Sequence, residues 1–380
     1  MTEGRRHRKA KQARRDAERR RSRERADSSE EVALISEVRE ALDTGHPLDF
    51  LGLVSVLILA TATQSRPEPD EGSATIGELV AAFTDVQGPE TTALLAGLGE
   101  MLTDDDALRA RCRQAADARD DGLPAWLAGL ADTTVHRAVR MTHVLGDGDE
   151  LLLGVRFADG QEMTGAVNID HLMTSEVRDA FFVPGPIDAV LAVARANNTD
   201  PDTTFADVDL ADARAGLQEA LDKHLSKVPL RESDTWPSSR ALLQWLTQLM
   251  PEGGSTFYVS QWPPEHAEET CRRFFASAAG APFDDVEHRE LLAECIADGD
   301  PLRWSQARVR QLLGSALTYS ASAPTDVQLD LPDMLHSFVR FAHAEAGIRE
   351  ALTEETLAAI ADSADDYRAT VLEEARDRDE

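Results

Sequence analysis

The apolar side chains between residues 133 and 170 recur at every second position, in three runs separated by turn sequences. Alternation with a period of two is typical of a half-buried β-strand. The turns are Gly146-Asp147-Gly148-Asp149 and Asp159-Gly160, and Asp-Gly between alternating runs is a strong hairpin signal. We therefore predict a three-stranded antiparallel β-meander, whose alternating apolar residues are Val135, Val139, Met141, Leu151, Leu153, Val155, Phe157, Met163, Val167 and Ile169.

Most of the remaining chain carries apolar residues at helical spacing. A lone meander needs a helix on its apolar face, and we expect residues 175–182 and 187–196 to supply it. The fold class predicted is mainly α (α+β), with two helical lobes and a small three-stranded antiparallel β-meander between them. Its segments are a disordered basic arm over 1–28, a helical lobe over 29–132, the meander with its packing helices over 133–200, a helix and linker over 201–236, and a C-terminal helical lobe over 237–380.

The charge of the chain is divided between a basic arm and an acidic body. Residues 1–26 hold twelve Arg/Lys against four Asp/Glu, a net of +8, whereas the rest holds 27 against 65, a net of −38. Arginine can contact phosphate through two N–H groups and release its counterions, so the arm is a candidate site for RNA, DNA or another polyanion. The alternative is a solubility tail, or an arm that folds back on its own acidic body. The candidate contact residues are Arg5, Arg6, Arg8, Lys9, Lys11, Arg14, Arg15, Arg19, Arg20 and Arg21.

A second candidate site lies at one end of the predicted meander. Strands one and three of a meander run in the same direction, so His143, Asp170 and His171 should lie at the same end of the sheet. Imidazole and carboxylate ligands suit a borderline divalent metal such as zinc, and they also suit acid–base chemistry. The alternative is structural: Asp170 caps the next helix and His143 packs on the meander. No nucleophile is evident beside these residues.

Motifs of several enzyme classes are absent from the sequence. It contains no GxxxxGK[ST] phosphate loop, no GxGxxG after a strand, no HExxH or GxSxG, and no paired CxxC. The three cysteines are far apart and lie in helical patterns, so we expect free thiols in a reducing compartment. The uncharged run from Phe50 to Ser65 is too short to span a membrane. His336 and His343 lie opposite an apolar helical stripe, which predicts exposure of both.

Three stretches carry a resemblance to other proteins. They are His46-Pro47-Leu48-Asp49 with the apolar run after it, Met141-Thr142-His143-Val144-Leu145-Gly146-Asp147-Gly148-Asp149, and Asp300-Pro301-Leu302-Arg303-Trp304-Ser305. Together they resemble conserved actinobacterial proteins of unknown function. The resemblance covers most of the body, excludes the arm, and implies a bacterial cytoplasmic protein. It implies no activity and no catalytic residue.

The sequence favours a binding or adaptor protein over an enzyme. Its arm would contact nucleic acid or an acidic protein, and its acidic lobes would engage a protein partner; neither a cofactor nor membrane insertion is expected. The alternative is an enzyme or divalent-metal-binding protein with its site at His143, Asp170 and His171.

Overall fold

The computed structural model of the protein describes residues 32–61, 75–172, 175–225, 233–256, 264–297, 299–314 and 323–379. The predicted arm and all ten of its candidate contact residues lie outside these ranges, as does most of the predicted linker. Among the described helices, none is long and apolar enough to cross a membrane.

The described part of the chain begins with six helices. Gly45 adopts a left-handed φ of 75° after the first helix, and Pro47 opens the second. Side-chain caps set two later helix starts: Thr75 and Glu78 form a reciprocal capping box, and Asp105 accepts the backbone N–H of Leu108. The helices are α1 (32–43), α2 (Pro47–Thr61), α3 (Ile76–Asp85), α4 (Pro89–Met101), α5 (Asp106–Asp117) and α6 (Ala125–Ala128), followed by a 3-10 turn (Leu130–Asp132).

A single antiparallel sheet follows, and it corrects the predicted fold class. The sheet has five strands in the order β4-β3-β2-β1-β5, so the prediction of a three-stranded meander is wrong and the fold is a mixed α+β arrangement. The strands are β1 (Thr134–His143), β2 (Gly148–Arg156), β3 (Glu162–Asp170), β4 (Glu176–Pro184) and β5 (Thr203–Val208).

The two additional strands lie at the edges of the sheet. Residues 175–182 were predicted as a packing helix because a lone meander needs a helix on its apolar face, yet residues 176–184 pair with β3. Residues 203–208 fall in the segment predicted as a helix and linker, yet they pair with β1. In both strands many side chains are exposed or half-buried, and backbone pairing compensates for the weak apolar pattern.

Helices cover both faces of the sheet. On one face, α7 (Ile187–Asn197) packs Ile187 and Leu191 against residues of β1, β2 and β3. On the other face, α8 (Leu210–Leu225) and α9 (Trp236–Leu249) contact β4 and β1, and α9 also packs on α2. The buried Trp236 and Leu242 belong to the same apolar core as α2, α4 and the sheet.

A second apolar core is built from the five helices described between residues 264 and 379. They are α10 (Pro264–Phe275), α11 (Val286–Ile296), α12 (Gln306–Gly314), α13 (Thr325–Ala346) and α14 (Glu350–Asp379). Trp304 is fully buried and packs edge-on against Phe338. The prediction for His343 is wrong, because its ring is buried between the Trp304 backbone and Thr353; His336 is exposed, as predicted.

Candidate functional site

One end of the sheet gathers polar residues from all five strands. β1 and β3 finish there, at His143 and Asp170, and β2, β4 and β5 begin there. The register places Asp149 opposite both Thr142 and Ile169, while His143 lies opposite Thr203. Residues distant in sequence are therefore brought within contact of one another.

Asp149 is the most buried acid at this end. Its side chain has no exposed surface and accepts hydrogen bonds from Arg140 Nε at 2.8 Å and Thr142 Oγ1 at 2.5 Å. A third contact joins its Oδ2 to His171 Nε2 at 2.9 Å. Burial raises the pKa of Asp149, but the hydrogen bonds from His171 and Thr142 and the charge of Arg140 outweigh it, so the pKa is lowered overall.

The other ring nitrogen of His171 contacts a serine. His171 Nδ1 lies 3.0 Å from Ser175 Oγ. Because an ionised Asp149 can only accept, a neutral His171 carries its proton on Nε2 and presents the lone pair of Nδ1 to the Ser175 hydroxyl. The backbone N–H of His171 also donates to the Asp147 carbonyl at 2.8 Å, which holds the residue against the β1–β2 turn.

His143 faces a different group of acids. Its Nε2 lies 3.3 Å from Asp200 Oδ2, and ligand atoms of His143, Asp200 and Asp202 all lie within 4.8 Å of one another. Arg349 opposes the binding of a divalent cation here, because its positively charged side chain already contacts Asp202. Its Nε lies 2.8 Å from Asp202 Oδ2 and 2.9 Å from Asp202 Oδ1. The hydrogen bond from Arg349 lowers the pKa of Asp202.

The tautomer of His143 also opposes a metal. Its Nδ1 accepts the backbone N–H of Leu145 at 3.2 Å. A histidine that binds a metal through Nε2 ordinarily donates a proton from Nδ1. Metal binding at His143 would therefore require loss of the Leu145 hydrogen bond as well as displacement of Arg349.

The second core approaches this end of the sheet through polar contacts. Arg303 Nη1 donates to the Val144 carbonyl at 2.9 Å. Burial raises the pKa of the nearby Asp147, an effect that the hydrogen bond from Ser305 and the charges of His143 and Arg308 reduce. Polar contacts and ion pairs, including Arg349 with Asp202, thus join the segments just before α12 and α14 to this end of the sheet.

The structure separates the three predicted metal ligands. His143 faces Asp200 and Asp202, whereas His171 bridges Asp149 and Ser175. Asp170 accepts the backbone N–H of Leu172 at 2.9 Å and lies 3.7 Å from Arg178. Within the described ranges, the group with metal-ligand spacing contains His143 but neither Asp170 nor His171.

Four residues of this end were missed in the sequence analysis: Ser175, Asp200, Asp202 and Arg349. Ser175 was interpreted as the start of a helix, and no role was predicted for Asp200 and Asp202. No spacing motif joins any of them to a histidine, since Arg349 reaches Asp202 from 147 residues away. A correct assignment of β4 and β5 would have placed Ser175 and Thr203 at the site.

The three cysteines are buried free thiols, in agreement with their predicted place in the cores. Burial raises the pKa of the Cys112 and Cys271 thiols to about 11 and that of Cys295 to about 12. The thiolate is the nucleophilic form of cysteine, and a raised pKa disfavours it, so none of the three cysteines is activated as a nucleophile.

No protein-family model, curated protein or solved structure matches the chain.

Proposed function

We propose that the protein is a binding or adaptor protein that contacts nucleic acid or another polyanion through its Arg-rich arm, while its acidic body engages a protein partner. The observation that carries the proposal is the division of charge, a net of +8 over residues 1–26 against −38 over the remainder. Such an arm attracts phosphate groups that lie within about one Debye length of it. The negative charge of the acidic body repels polyanions from the rest of the protein.

Ion pairing within the body supports the same assignment. Arg137 lies between Asp188 and Asp207, and Arg340 contacts Glu350 and Glu354. Arginines held in this way are less available to a phosphate group. The arm therefore supplies the concentrated basic charge that a polyanion would meet.

The test is the salt dependence of binding by the full chain and by a deletion of residues 1–26. If about six phosphates are contacted, log K should fall against log salt with a slope of roughly −4 to −5 for short single-stranded RNA or duplex DNA. Deletion of the arm should abolish binding and change the free energy of unfolding by less than ~1 kcal/mol, because the arm contributes little apolar surface. Binding that survives the deletion, or that ignores salt, would contradict the proposal.

Two charge variants make the test sharper. Replacing Arg19, Arg20 and Arg21 together by Gln should make the slope shallower by about 2 to 3, because three fewer counterions are released. Replacing the same three residues by Lys keeps the charge and should preserve the slope, with a smaller loss of affinity from the missing bidentate contacts. Equal slopes for the Gln and Lys variants would exclude these arginines from the contact.

The second candidate function, divalent-metal binding, has less support than polyanion binding. His143 and His171 face different partners, and Arg349 lies on the acids nearest to His143. Titration calorimetry with Zn²⁺ tests it directly. Uptake by the wild type that His143→Ala and His171→Ala together abolish would favour the metal; no uptake would exclude a metal-binding role for these residues.

A further inference from the structure

We propose that Ser175, His171 and Asp149 form a nucleophilic site in which Ser175 is acylated by a small, uncharged ester. The proposal goes beyond polyanion binding and does not rest on it. It also differs from the metal site predicted at this end of the sheet, because it uses a hydroxyl that the sequence analysis did not identify.

The geometry meets the requirements of an activated serine. The nucleophile and its base are within hydrogen-bond reach, with Ser175 Oγ 3.0 Å from His171 Nδ1. A third group orients the base, since Asp149 Oδ2 lies 2.9 Å from His171 Nε2. Asp149 is itself fixed by Arg140 and Thr142, so the imidazole is held in the tautomer that can take the serine proton.

The backbone at Ser175 supplies an independent observation. Its φ is 55°, and among the described residues it is the only non-glycine residue with a positive φ. A left-handed conformation is unfavourable for a serine and persists only where the surroundings impose it, which occurs often at reactive groups. If this residue had only a structural role in the turn, glycine would adopt the positive φ with less strain.

The surroundings restrict the substrate to a small and uncharged acyl group. Ser175 is only 6% exposed and the His171 side chain 12%, so a long or bulky acyl chain could not reach the hydroxyl as readily as a small one. Asp149 pairs with Arg140, and Asp170 lies 3.7 Å from Arg178, so a charged substrate would have to disturb one of these ion pairs. Acetyl esters are the simplest compounds that satisfy both conditions.

The reaction is an acyl transfer to Ser175. The hydroxyl oxygen attacks the ester carbonyl carbon, a new C–O bond forms, and the hydroxyl proton passes to His171 Nδ1. Collapse of the tetrahedral intermediate breaks the bond to the leaving alkoxide, which takes that proton from His171 and departs as the alcohol. Asp149 keeps its negative charge throughout and stabilises the transient imidazolium. Water then hydrolyses the ester on Ser175 by the same route.

The first experiment treats the full chain with methanesulfonyl fluoride, a small serine-directed reagent, and locates the product by intact mass and peptide mapping. Attack by Ser175 forms an S–O bond, breaks the S–F bond and releases fluoride with the serine proton. We expect one adduct, on Ser175, and a labelling rate at least ~100-fold lower in His171→Gln, the usual contribution of a general base. An unlabelled Ser175 in the folded wild type, or labelling that is independent of His171, would overturn the proposal.

Two variants separate a reactive role from a structural one. Ser175→Gly removes the hydroxyl and suits the φ of 55°, so it should lose the adduct without lowering the melting temperature. The control is Ser233→Ala, because Ser233 donates to Asp179 and no histidine takes part in that contact; its labelling should match the wild type. The release of p-nitrophenol from p-nitrophenyl acetate should be similar in the wild type and Ser233→Ala and lower in Ser175→Gly. Equal release by the wild type and Ser175→Gly would exclude acylation at Ser175.

Discussion

Replacing Asp149 by Asn would remove one negative charge from the buried end of the sheet and change the shape of the side chain very little. The carboxylate accepts hydrogen bonds from Arg140, Thr142 and His171, and none of its surface is exposed. An asparagine offers one acceptor oxygen, so at least one donor meets an NH₂ group instead. The variant therefore tests how much the buried carboxylate stabilises this end of the sheet.

The contacts set the expected magnitude. Breaking a fully buried ion pair costs about 3–5 kcal/mol, and a single hydrogen bond to a charged group contributes about 1.5–3 kcal/mol. Arg140 and His171 keep 24% and 12% of their side-chain surface exposed, so water can partly replace the lost partner. We expect Asp149→Asn to lower the free energy of unfolding by about 2–4 kcal/mol near neutral pH.

The loss should depend on pH in a defined direction. The folded-state pKa of Asp149 is lowered, so its stabilising effect is present above the ordinary carboxyl pKa and disappears as the pH falls through the folded value. The difference between the wild type and Asp149→Asn should consequently shrink below about pH 4.

The assay is urea unfolding followed by far-UV circular dichroism over a series of pH values. Asp188→Asn is a matched control, because Asp188 pairs with Arg137 at 2.5 Å but is 81% exposed; it should change stability by less than ~0.5 kcal/mol. A loss of similar size in both variants, or a loss for Asp149→Asn that is constant with pH, would refute the reasoning.

Three further predictions concern the cores. The buried cysteines should react with iodoacetamide about 100-fold more slowly in the native protein than in urea, because burial raises their pKa values; equal rates would contradict this. A Cβ on Gly254 would lie 2.0 Å from the Ala211 carbonyl carbon, so Gly254→Ala should cost about 1–3 kcal/mol in urea unfolding. Gly122→Ala, with no described heavy atom within 4 Å, should be close to neutral, and equal stability of the two variants would refute the clash. Burial lowers the pKa of His343, although the hydrogen bond that its ring donates to the Trp304 carbonyl opposes this effect. The stabilising effect of the neutral ring is therefore lost as the pH falls below about 6.5. His343→Gln should have a flatter stability profile between about pH 7 and 5, and an unchanged slope would contradict that.

The sequence alone determined the features that depend on neighbouring residues. Alternating apolar residues and Asp-Gly turns identify β1, β2 and β3, because a strand shows its buried face at every second position. The free thiols in helical patterns were also predicted correctly on local grounds.

Edge pairing was decided by the tertiary structure. β4 and β5 carry weak apolar patterns, and they are strands because β3 and β1 offer free backbone N–H and C=O groups to them. The same holds for His343, whose predicted exposed face is covered by the segment around Trp304 and by α14.

The candidate site depended on this non-local pairing even more strongly. The sequence placed His143 and His171 at the same end of the sheet, but it did not identify their partners. His171 meets Asp149 because the β2–β3 register brings together residues 22 positions apart, and it meets Ser175 because β4 returns along β3. Arg349 reaches Asp202 across 147 residues through the packing of the second core. Contacts of this kind have no local period or spacing, so only the packed structure determines which charge or hydroxyl each histidine faces.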